Sequence, residues 1–213
     1  MIVGVGYGPL AYHIRRISLS LNNLELLPYP LFYDNKKLLL TTANGYIYYF
    51  KELVRLRNVV KIALWPDNIS LGKAYKVVNI SLLGDIAFIV PVHSLDQLEI
   101  VEELKAINFR VFTGYASDKR YRNYELREFL RESKGPLWYL GVSTKRELLE
   151  AKRHCFSGLD ITGYVVGTNE IRKNPEKLNR VIKEMLTYLN AQGRQTRITE
   201  FLSVNSPVNV VTR

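Results

Sequence analysis

Short apolar runs alternate with polar turns and amphipathic segments through the central part of the chain, from Lys37 to Gly163. Turn residues bound each apolar run, and this pattern is typical of strands that are buried on both faces. The runs predict six strands, over residues 37–42, 59–66, 86–93, 109–115, 136–142 and 158–166.

The segments between these runs repeat apolar residues at helical spacing, so each can turn one apolar face toward a sheet. Two of the predicted helices begin with the spacing of a capping box, in which side chains satisfy the first backbone donors of a helix. These are Ser94 with Gln97 and Thr144 with Glu147. The strand-to-helix junctions at 94 and 144 are therefore well defined.

Strands that are buried on both faces and joined through helices run parallel. Two architectures satisfy this rule, a closed (βα) barrel and an open doubly wound sheet. Both place ligands at the carboxyl ends of the strands. Residues 1–36 contain two more apolar runs, which can add the first strands or form an N-terminal extension, and residues 174–192 predict a C-terminal helix.

The chain has 213 residues, 47% of them hydrophobic, which is enough to bury the core of one domain over residues 1–213. A complete eightfold barrel usually needs about 250 residues, so a barrel of this length would be short or incomplete. Lysine and arginine outnumber the acids by 30 to 20, giving a net charge of +10. Such a charge attracts polyanions, although many basic proteins use their charge mainly for solubility.

The single cysteine, Cys155, excludes an intramolecular disulfide, and only three histidines accompany it, so the sequence implies no metal site and no cofactor. No apolar stretch is long enough to span a membrane, and no signal-peptide pattern is present. We therefore expect a cytoplasmic protein without a membrane partner. Abundant Lys, Arg and Glu beside few Gln and one Cys favour a thermophilic source.

Polar residues follow several predicted strands. Asp67 and Asn68 end the second strand, and a carboxylate beside an amide can bind the donor edge of a base, although both types are also common helix N-caps. His93 and Ser94 end the third strand, where Ser94 has a capping role and a lone histidine is often structural. Asp160 lies within an apolar strand, where a carboxylate needs partners or a function.

The loop after the fourth strand interleaves cations with aromatic residues. Such a loop can hold phosphates and stack bases, or it can be a solvated basic loop that leads into a helix. Its candidates for nucleic-acid binding are Lys119, Arg120, Tyr121, Arg122 and Tyr124.

The motif GVGYGP near the N-terminus has three glycines, Gly4, Gly6 and Gly8. It departs from a dinucleotide-binding fingerprint, because Pro9 follows directly and no acidic residue for a ribose stands at the expected distance. A tight turn explains these glycines sufficiently.

The order of strand-end motifs from Leu38 to Val165 resembles the tRNA-guanine transglycosylase family, which includes virus-associated relatives that exchange bases in DNA. The motifs are LLLTTANG, WPDN, PVHS, TGYAS, YLGVSTKRELLEA and GLDITGY. The longest match is YLGVSTKRELLEAKRHCFSGLDITGY, a strand, capped helix and strand. The resemblance implies a parallel TIM-type barrel and a purine-type base at its mouth, with tRNA or DNA as partner.

The resemblance also assigns site residues. Asp67 would read the base, His93 would replace the family's glutamine, and Gly114 would keep the glycine of the turn against the base. The other predicted substrate-binding residues are Asn68, Ser94, Tyr115, Thr42 and Ser143.

This chain also departs from the family at the positions that carry catalysis. The family's nucleophilic aspartate stands three residues beyond Asp160, where this chain has Gly163, and the aspartate expected after the first strand is Thr41 or Thr42. The family's cysteine-rich zinc site is missing. Base exchange would therefore need Asp67 or Asp160 as its catalytic carboxylate. Two alternatives stay open, a nucleic-acid-binding barrel without catalysis and a phosphate- or sugar-binding barrel.

Overall fold

The computed structural model describes residues 1–21, 23–40 and 42–190, without the side chains of residues 18–20. Its sheet contains eight strands. They are β1 (Ile2–Val5), β2 (Leu26–Pro28), β3 (Phe32–Tyr33), β4 (Ile62–Leu64), β5 (Ala87–Val92), β6 (Arg110–Ala116), β7 (Leu137–Val142) and β8 (Gly158–Ile161).

Helices follow most of the strands and cover the outside of the sheet. They are α1 (Pro9–Leu21), α2 (Lys36–Leu40), α3 (Gly45–Arg55), α4 (Leu71–Tyr75), α5 (Leu98–Ala106), α6 (Leu126–Glu132), α7 (Lys145–Arg153), α8 (Gly163–Val166), α9 (Asn169–Lys173) and α10 (Pro175–Asn190). Short 3-10 helices lie at Ile80–Leu83, Leu95–Gln97 and Lys119–Tyr121.

All paired strands run parallel, in the order β2-β1-β8-β7-β6-β5-β4-β3. Only residues 29–31 separate β2 from β3, so these two strands are successive halves of one bent stretch. Its first half pairs with β1 and its second half pairs with β4. The sheet is therefore a nearly closed TIM-type barrel, which confirms the predicted short, parallel (βα) barrel.

Alternate residues of the strands fill the barrel interior, as the twofold period of a strand requires. The rings of Phe32 and Trp138 lie at its centre, and neither is exposed. Gly4 makes room for this packing, because a Cβ at Gly4 would lie 2.7 Å from the Phe32 ring. A close approach, and not a cofactor loop, thus explains Gly4.

Two larger apolar clusters lie between the sheet and the helices. One gathers α1, α7 and α10 against β1, β7 and β8, and the other gathers α3 and α5 against β4 and β5. Both capping boxes are present, at Ser94 with Gln97 and at Thr144 with Glu147. These caps fix the points at which the chain leaves β5 and β7.

Five of the six predicted strands are confirmed, and the prediction for residues 37–42 is wrong. That segment contains α2, and Thr41 lies outside the described residues. The reason is local: Asn35 accepts hydrogen bonds from the Leu38 amide through its carbonyl and its side chain, which starts a helical turn. Lysine and leucine also favour helix over strand.

The two ends of the chain match their predictions in part. Residues 1–36 contain α1 and three strands, where one or two strands were expected. The C-terminal helix is α10, Pro175–Asn190, and residues 191 and 192 of the predicted helix lie outside the described residues. The run 158–166 is strand only to Ile161 and then turns into α8.

Candidate functional site at the barrel mouth

A cavity of about 260 Å³ opens at the carboxyl ends of the strands. Residues from or just after six of the strands line it, in keeping with the usual place of ligands in parallel barrels. The lining residues are Asp34, Lys36, Leu64, Asp67, Pro91, His93, Ala116, Ser117, Asp118, Tyr121, Leu140, Gly141, Asp160 and Thr162. The cavity thus brings Asp67, His93 and Asp160 together although they are far apart in sequence.

His93 and Asp67 form an ion pair on one side of the cavity. The Nε2 atom of His93 lies 3.2 Å from Oδ1 of Asp67, and its Nδ1 donates to the Tyr121 carbonyl at 2.8 Å. Because a carbonyl only accepts, Nδ1 carries a proton, and the Asp67 carboxylate then favours a second proton on Nε2. The hydrogen bond with Asp67 accordingly raises the pKa of His93, although burial opposes the shift.

Gln97 positions this pair from the adjoining helix. Its Oε1 accepts a hydrogen bond from the His93 amide at 2.6 Å, and its Nε2 donates to Asn68 Oδ1 at 2.8 Å. Gln97 therefore ties the loop after β4 to the end of β5, which places Asp67 beside His93. Asn68 acts through this bond, since its side chain is not part of the cavity lining.

Asp160 lies deeper, at the end of β8. Its Oδ1 accepts from Trp138 Nε1 at 3.1 Å and its Oδ2 accepts from the Gly141 amide at 3.0 Å. Burial raises the pKa of Asp160, while nearby Lys36 and these two donors favour the charged form. The carboxyl group is therefore held in one orientation at the cavity wall.

Asp34 is a cavity residue that the sequence analysis did not identify. It follows β3 directly and is buried, and its Oδ1 has no hydrogen-bond partner in the part of the chain described. Burial raises its pKa to about 7, with Asp160 and Asp67 adding to the shift and Lys36 opposing it. The signal was present in the sequence, because FYDN repeats the pattern of an apolar run followed by Asp and Asn seen in LWPDN.

The remaining polar cavity residues that sequence reasoning missed come from three loops. Lys36 begins α2, Ser117 and Asp118 follow β6, and Thr162 follows β8. Lys36 was missed because residues 37–42 were predicted to be a strand. The other three are single polar residues in loops, which carry no distinctive spacing.

Three predicted substrate-binding residues have structural roles outside the cavity lining. Ser94 belongs to a capping box, and its Oγ accepts from Asn123 Nδ2 at 3.2 Å. Ser143 donates from its amide and its hydroxyl to Glu147 Oε2, at 2.7 and 2.9 Å. Thr42 is exposed in the turn before α3, where its carbonyl accepts from the Gly45 amide.

The predictions for Gly114 and Tyr115 are also corrected. Gly114 lies in the middle of β6 and not in a turn, and a Cβ there would lie 2.9 Å from both Leu140 and the Val90 carbonyl. Tyr115 is buried against the helices and packs on Phe129. Alternation along the strand explains Tyr115, because its neighbour Ala116 is the β6 residue that reaches the cavity. Gly114 shares the face of Ala116 but lies two residues deeper in the barrel.

The basic loop divides into an exposed part and a structural part. Lys119, Arg120 and Tyr121 are exposed, and Arg120 pairs with Asp118 at 2.6 Å, which holds the pKa of Asp118 at about 2. Arg122 instead donates to backbone carbonyls and lies 4.7 Å from the Tyr115 ring centre. Tyr124 is buried, with its hydroxyl bonded to the Val92 carbonyl, so it cannot stack a base.

The described residues contain neither a candidate metal site nor a candidate membrane span. No described group of three or more His, Cys, Asp or Glu side chains is placed to hold a metal ion. No helix among residues 1–190, as far as they are described, is long and apolar enough to cross a membrane.

The fold and the cavity together define a TIM-type barrel protein with a polar site at the carboxyl ends of its strands. The chain belongs to the same family as the uncharacterized protein ORF192 of Acidianus two-tailed virus. The two are 41% identical over 198 residues, which cover 91% of this chain and 96% of the viral protein. No family model matches the chain.

A solved structure, thiamine phosphate pyrophosphorylase from Pyrococcus furiosus, is similar to this fold with a TM-score of 0.48. The similarity covers 87% of this chain and 96% of that chain, at 13% sequence identity.

Proposed function

We propose that this protein binds a purine-type base in the cavity, holds a nucleic acid on the rim around it, and exchanges the base as a pentosyl transferase. The observation that carries the proposal is the meeting of Asp67, His93 and Asp160 at one cavity. The likeness to transglycosylases supports it through the sequence motifs alone.

The size of the cavity favours a small ligand. Its volume of about 260 Å³ falls just below the range of roughly 300–1,000 Å³ that is usual for small-molecule sites. A single base with part of its sugar matches this size class. A dinucleotide cofactor would be too large.

The charge of the cavity favours a ligand that donates hydrogen bonds. Four aspartates line it, at positions 34, 67, 118 and 160, against one lysine and His93. Carboxylates accept hydrogen bonds from ring N–H and amino groups of a base, whereas they repel a phosphate. The phosphate-binding alternative is therefore less well supported than a base-binding site.

The carboxylates also supply groups for glycosyl transfer. Base exchange needs a carboxylate that bonds to the sugar carbon while one base leaves and another enters. Asp160 is our first candidate, because two donors hold its carboxyl group at the cavity wall. Asp67 would orient the base, and its partner His93 would move protons.

Position 163 supports the choice of Asp160 over a nucleophile in the family's usual place. A side chain at Gly163 would meet the guanidinium group of Arg172, which occupies that space. Asp160 is three residues earlier, on β8 itself. A carboxylate at Gly163 could be accommodated only if Arg172 moved.

The charge outside the cavity favours a polyanion on the rim. The chain carries +10 overall although its cavity is acidic, so the excess cations lie elsewhere. Lys119 and Arg120 are exposed beside Tyr121, which lines the cavity and is itself 63% exposed. A strand of RNA or DNA could place phosphates on these cations and stack a base on this ring.

The decisive experiment measures the exchange of radiolabelled guanine into tRNA and into DNA. We expect exchange by the wild type, none by Asp67→Ala or Asp160→Asn, and full activity of Asp96→Asn, an exposed control outside the cavity. Unchanged exchange by Asp67→Ala would remove its assignment. If the wild type exchanges no guanine, the proposed pentosyl transferase activity is wrong.

A second candidate is a nucleic-acid-binding barrel without catalysis, which Gly163 favours because it lacks the family's carboxylate. Such a protein should bind tRNA and DNA without sequence preference, and its affinity should fall steeply with salt. Nucleic-acid binding of this kind, with no labelled guanine incorporated, would select this candidate. A salt-independent affinity would count against it.

A further inference from the structure

Asp34 is a buried acid that forms no ion pair with the described residues. The residue is 9% exposed, and its Oδ1 has no partner among the described residues. An unpaired buried carboxyl lowers the stability of a fold, so it usually has a function. Asp34 also lines the cavity of the proposed site.

The backbone around Asp34 holds the carboxyl group in place. The Tyr7 amide donates to the Asp34 carbonyl at 2.8 Å, which joins the end of β1 to the end of β3. A Cβ added at Gly6 would lie 2.9 Å from Asp34 Oδ2. The carboxyl group therefore fills the space that a larger residue at position 6 would occupy.

The groups that face Asp34 favour its protonated form. Burial raises its pKa most, Lys36 lowers it, and Asp160 and Asp67 raise it further. Tyr49 also lies close, but its hydroxyl bonds to the carbonyls of Tyr33 and Leu64. Asp34 thus lies near two other acids, and its Oδ1 receives no donor from the residues that the structure describes.

We propose that Asp34 is the acid of this cavity: its carboxyl group donates a hydrogen bond to an acceptor atom of the bound base, and gives it the proton when the base leaves. This inference rests on the proposed base-exchange function. It assigns a catalytic residue that the sequence motifs did not contain.

The base exchange then takes place in two displacements. The Asp160 carboxylate forms a bond to the sugar carbon, the bond from that carbon to the ring nitrogen breaks, and its electron pair stays on the base. The proton of Asp34 moves to a nitrogen of the leaving base, and Asp34 becomes a carboxylate. The incoming base then loses a proton to Asp34 as its nitrogen bonds to the sugar carbon and releases Asp160.

The first test uses the protein without ligand. The thermal midpoints of the wild type, Asp34→Asn and Asp96→Asn would be compared from about pH 4 to pH 9. The stability that protonated Asp34 contributes is fully present below the ordinary pKa of an aspartate. It is lost as pH rises through the pKa that Asp34 has in the folded protein. The thermal midpoint of Asp34→Asn, relative to that of the wild type, should therefore rise up to about pH 7 and stay constant above it. The thermal midpoint of Asp96→Asn should follow that of the wild type at every pH.

The second test compares binding with exchange. Asp34→Asn keeps an N–H donor but has no proton to give, so guanine affinity measured by calorimetry should fall less than about tenfold. Labelled-guanine exchange should fall by roughly 10²–10⁴-fold, the usual contribution of a general acid. A residue with a structural role alone would not separate the two readouts.

The outcomes separate this proposal from the proposed function. A midpoint difference that stays constant with pH would overturn the role of Asp34 whether or not guanine is exchanged, and so would near-normal exchange by Asp34→Asn. A wild type that neither binds nor exchanges guanine would overturn the proposed function. In that case a midpoint difference that grows with pH would still support Asp34 as a protonated acid of the cavity.

Discussion

The ring of Trp138 stacks on Phe32 inside the barrel, with ring centres 5.5 Å apart and planes 6° apart. The same indole donates its N–H to Asp160 at the cavity wall. Trp138 is therefore both a core residue and a support of the candidate site. This double role makes the site sensitive to the packing beneath it, so that the geometry of Asp160 depends on the interior of the barrel.

Replacement of Trp138 by Phe should lower both stability and ligand binding. The change leaves a cavity beside Phe32 and removes a donor from a buried carboxyl, at a combined cost of about 2–4 kcal/mol. The pKa of Asp160 should rise further, since this donor lowers it. Urea unfolding and guanine calorimetry measure the two effects.

The second tryptophan provides a matched control. Trp65 is also buried, and its Nε1 donates to the Ile69 carbonyl, away from Asp160. Trp65→Phe should lower stability by about 1–3 kcal/mol and weaken guanine binding less than Trp138→Phe does, because its bond closes the loop that carries Asp67 but does not touch Asp160. Equal losses of affinity in both variants would show that Trp138 has no specific role at the site.

Alanine at position 6 should displace Asp34. Its Cβ would come within 2.9 Å of the Asp34 carboxyl, so that the side chain or the backbone must shift. Overpacking of this kind usually costs about 1–3 kcal/mol, and guanine binding should weaken because Asp34 moves from the cavity. Chemical denaturation and calorimetry of Gly6→Ala test this expectation.

The control is alanine at Gly72, an exposed position in α4 where an added Cβ meets no atom within 4 Å. Gly72→Ala should be neutral or stabilising by up to about 1 kcal/mol, because alanine favours a helix. If Gly6→Ala is as stable as Gly72→Ala, the close approach of Gly6 to Asp34 carries no cost. Position 6 then does not need glycine to leave room for the Asp34 carboxyl group.

The strand and helix pattern was sufficient to predict a parallel α/β fold, because buried strands and capped helices are local signals. The resemblance to transglycosylases was needed to favour a barrel over an open sheet. The bent stretch formed by β2 and β3 was harder to see, since two short strands share one apolar run, LELLPYPLFY. Because residues 37–42 were predicted to be the first strand of the central pattern, the first β-to-α junction was placed at Thr42 and Asp34 was overlooked. A leucine run alone does not distinguish a strand from a helix.

The candidate site was predictable where a polar residue directly ended a strand, as at Asp67 and His93. It was not predictable where pairing decides the direction of a side chain. Tyr115 is one position from Ala116 and Gly114 is two positions from it, yet of these three only Ala116 lines the cavity. In the basic loop, composition gave no sign that Arg122 faces inward, because the difference from Arg120 lies in the backbone carbonyls around it.

Removal of the Asp67 charge should lower the pKa of His93. The pair raises that pKa above its ordinary value, so the stability that it contributes is present below about pH 6.5 and is lost as pH rises through the folded value. Both side chains are partly exposed, so this contribution should stay below about 1 kcal/mol. Titration of the His93 ring by NMR is practical because the chain has three histidines.

Two variants make this titration specific. Asp67→Asn should bring His93 back toward its ordinary pKa, while Asp118→Asn should leave it unchanged, since Asp118 lines the same cavity but pairs with Arg120. An equal shift in both variants would mean that the general acidity of the cavity, and not the contact with Asp67, sets the pKa of His93.

Arg120 and Arg122 should give opposite results when each is changed. Arg122 donates to the carbonyls of Ala116, Ser117 and Tyr124, so Arg122→Ala should cost about 1–3 kcal/mol in urea unfolding and leave the salt dependence of DNA binding intact. Arg120 is exposed, so Arg120→Ala should leave the unfolding midpoint unchanged but reduce the slope of log affinity against log salt by about 1. Salt slopes that fall equally in both variants would place Arg122 on the nucleic-acid surface, contrary to its contacts in the fold.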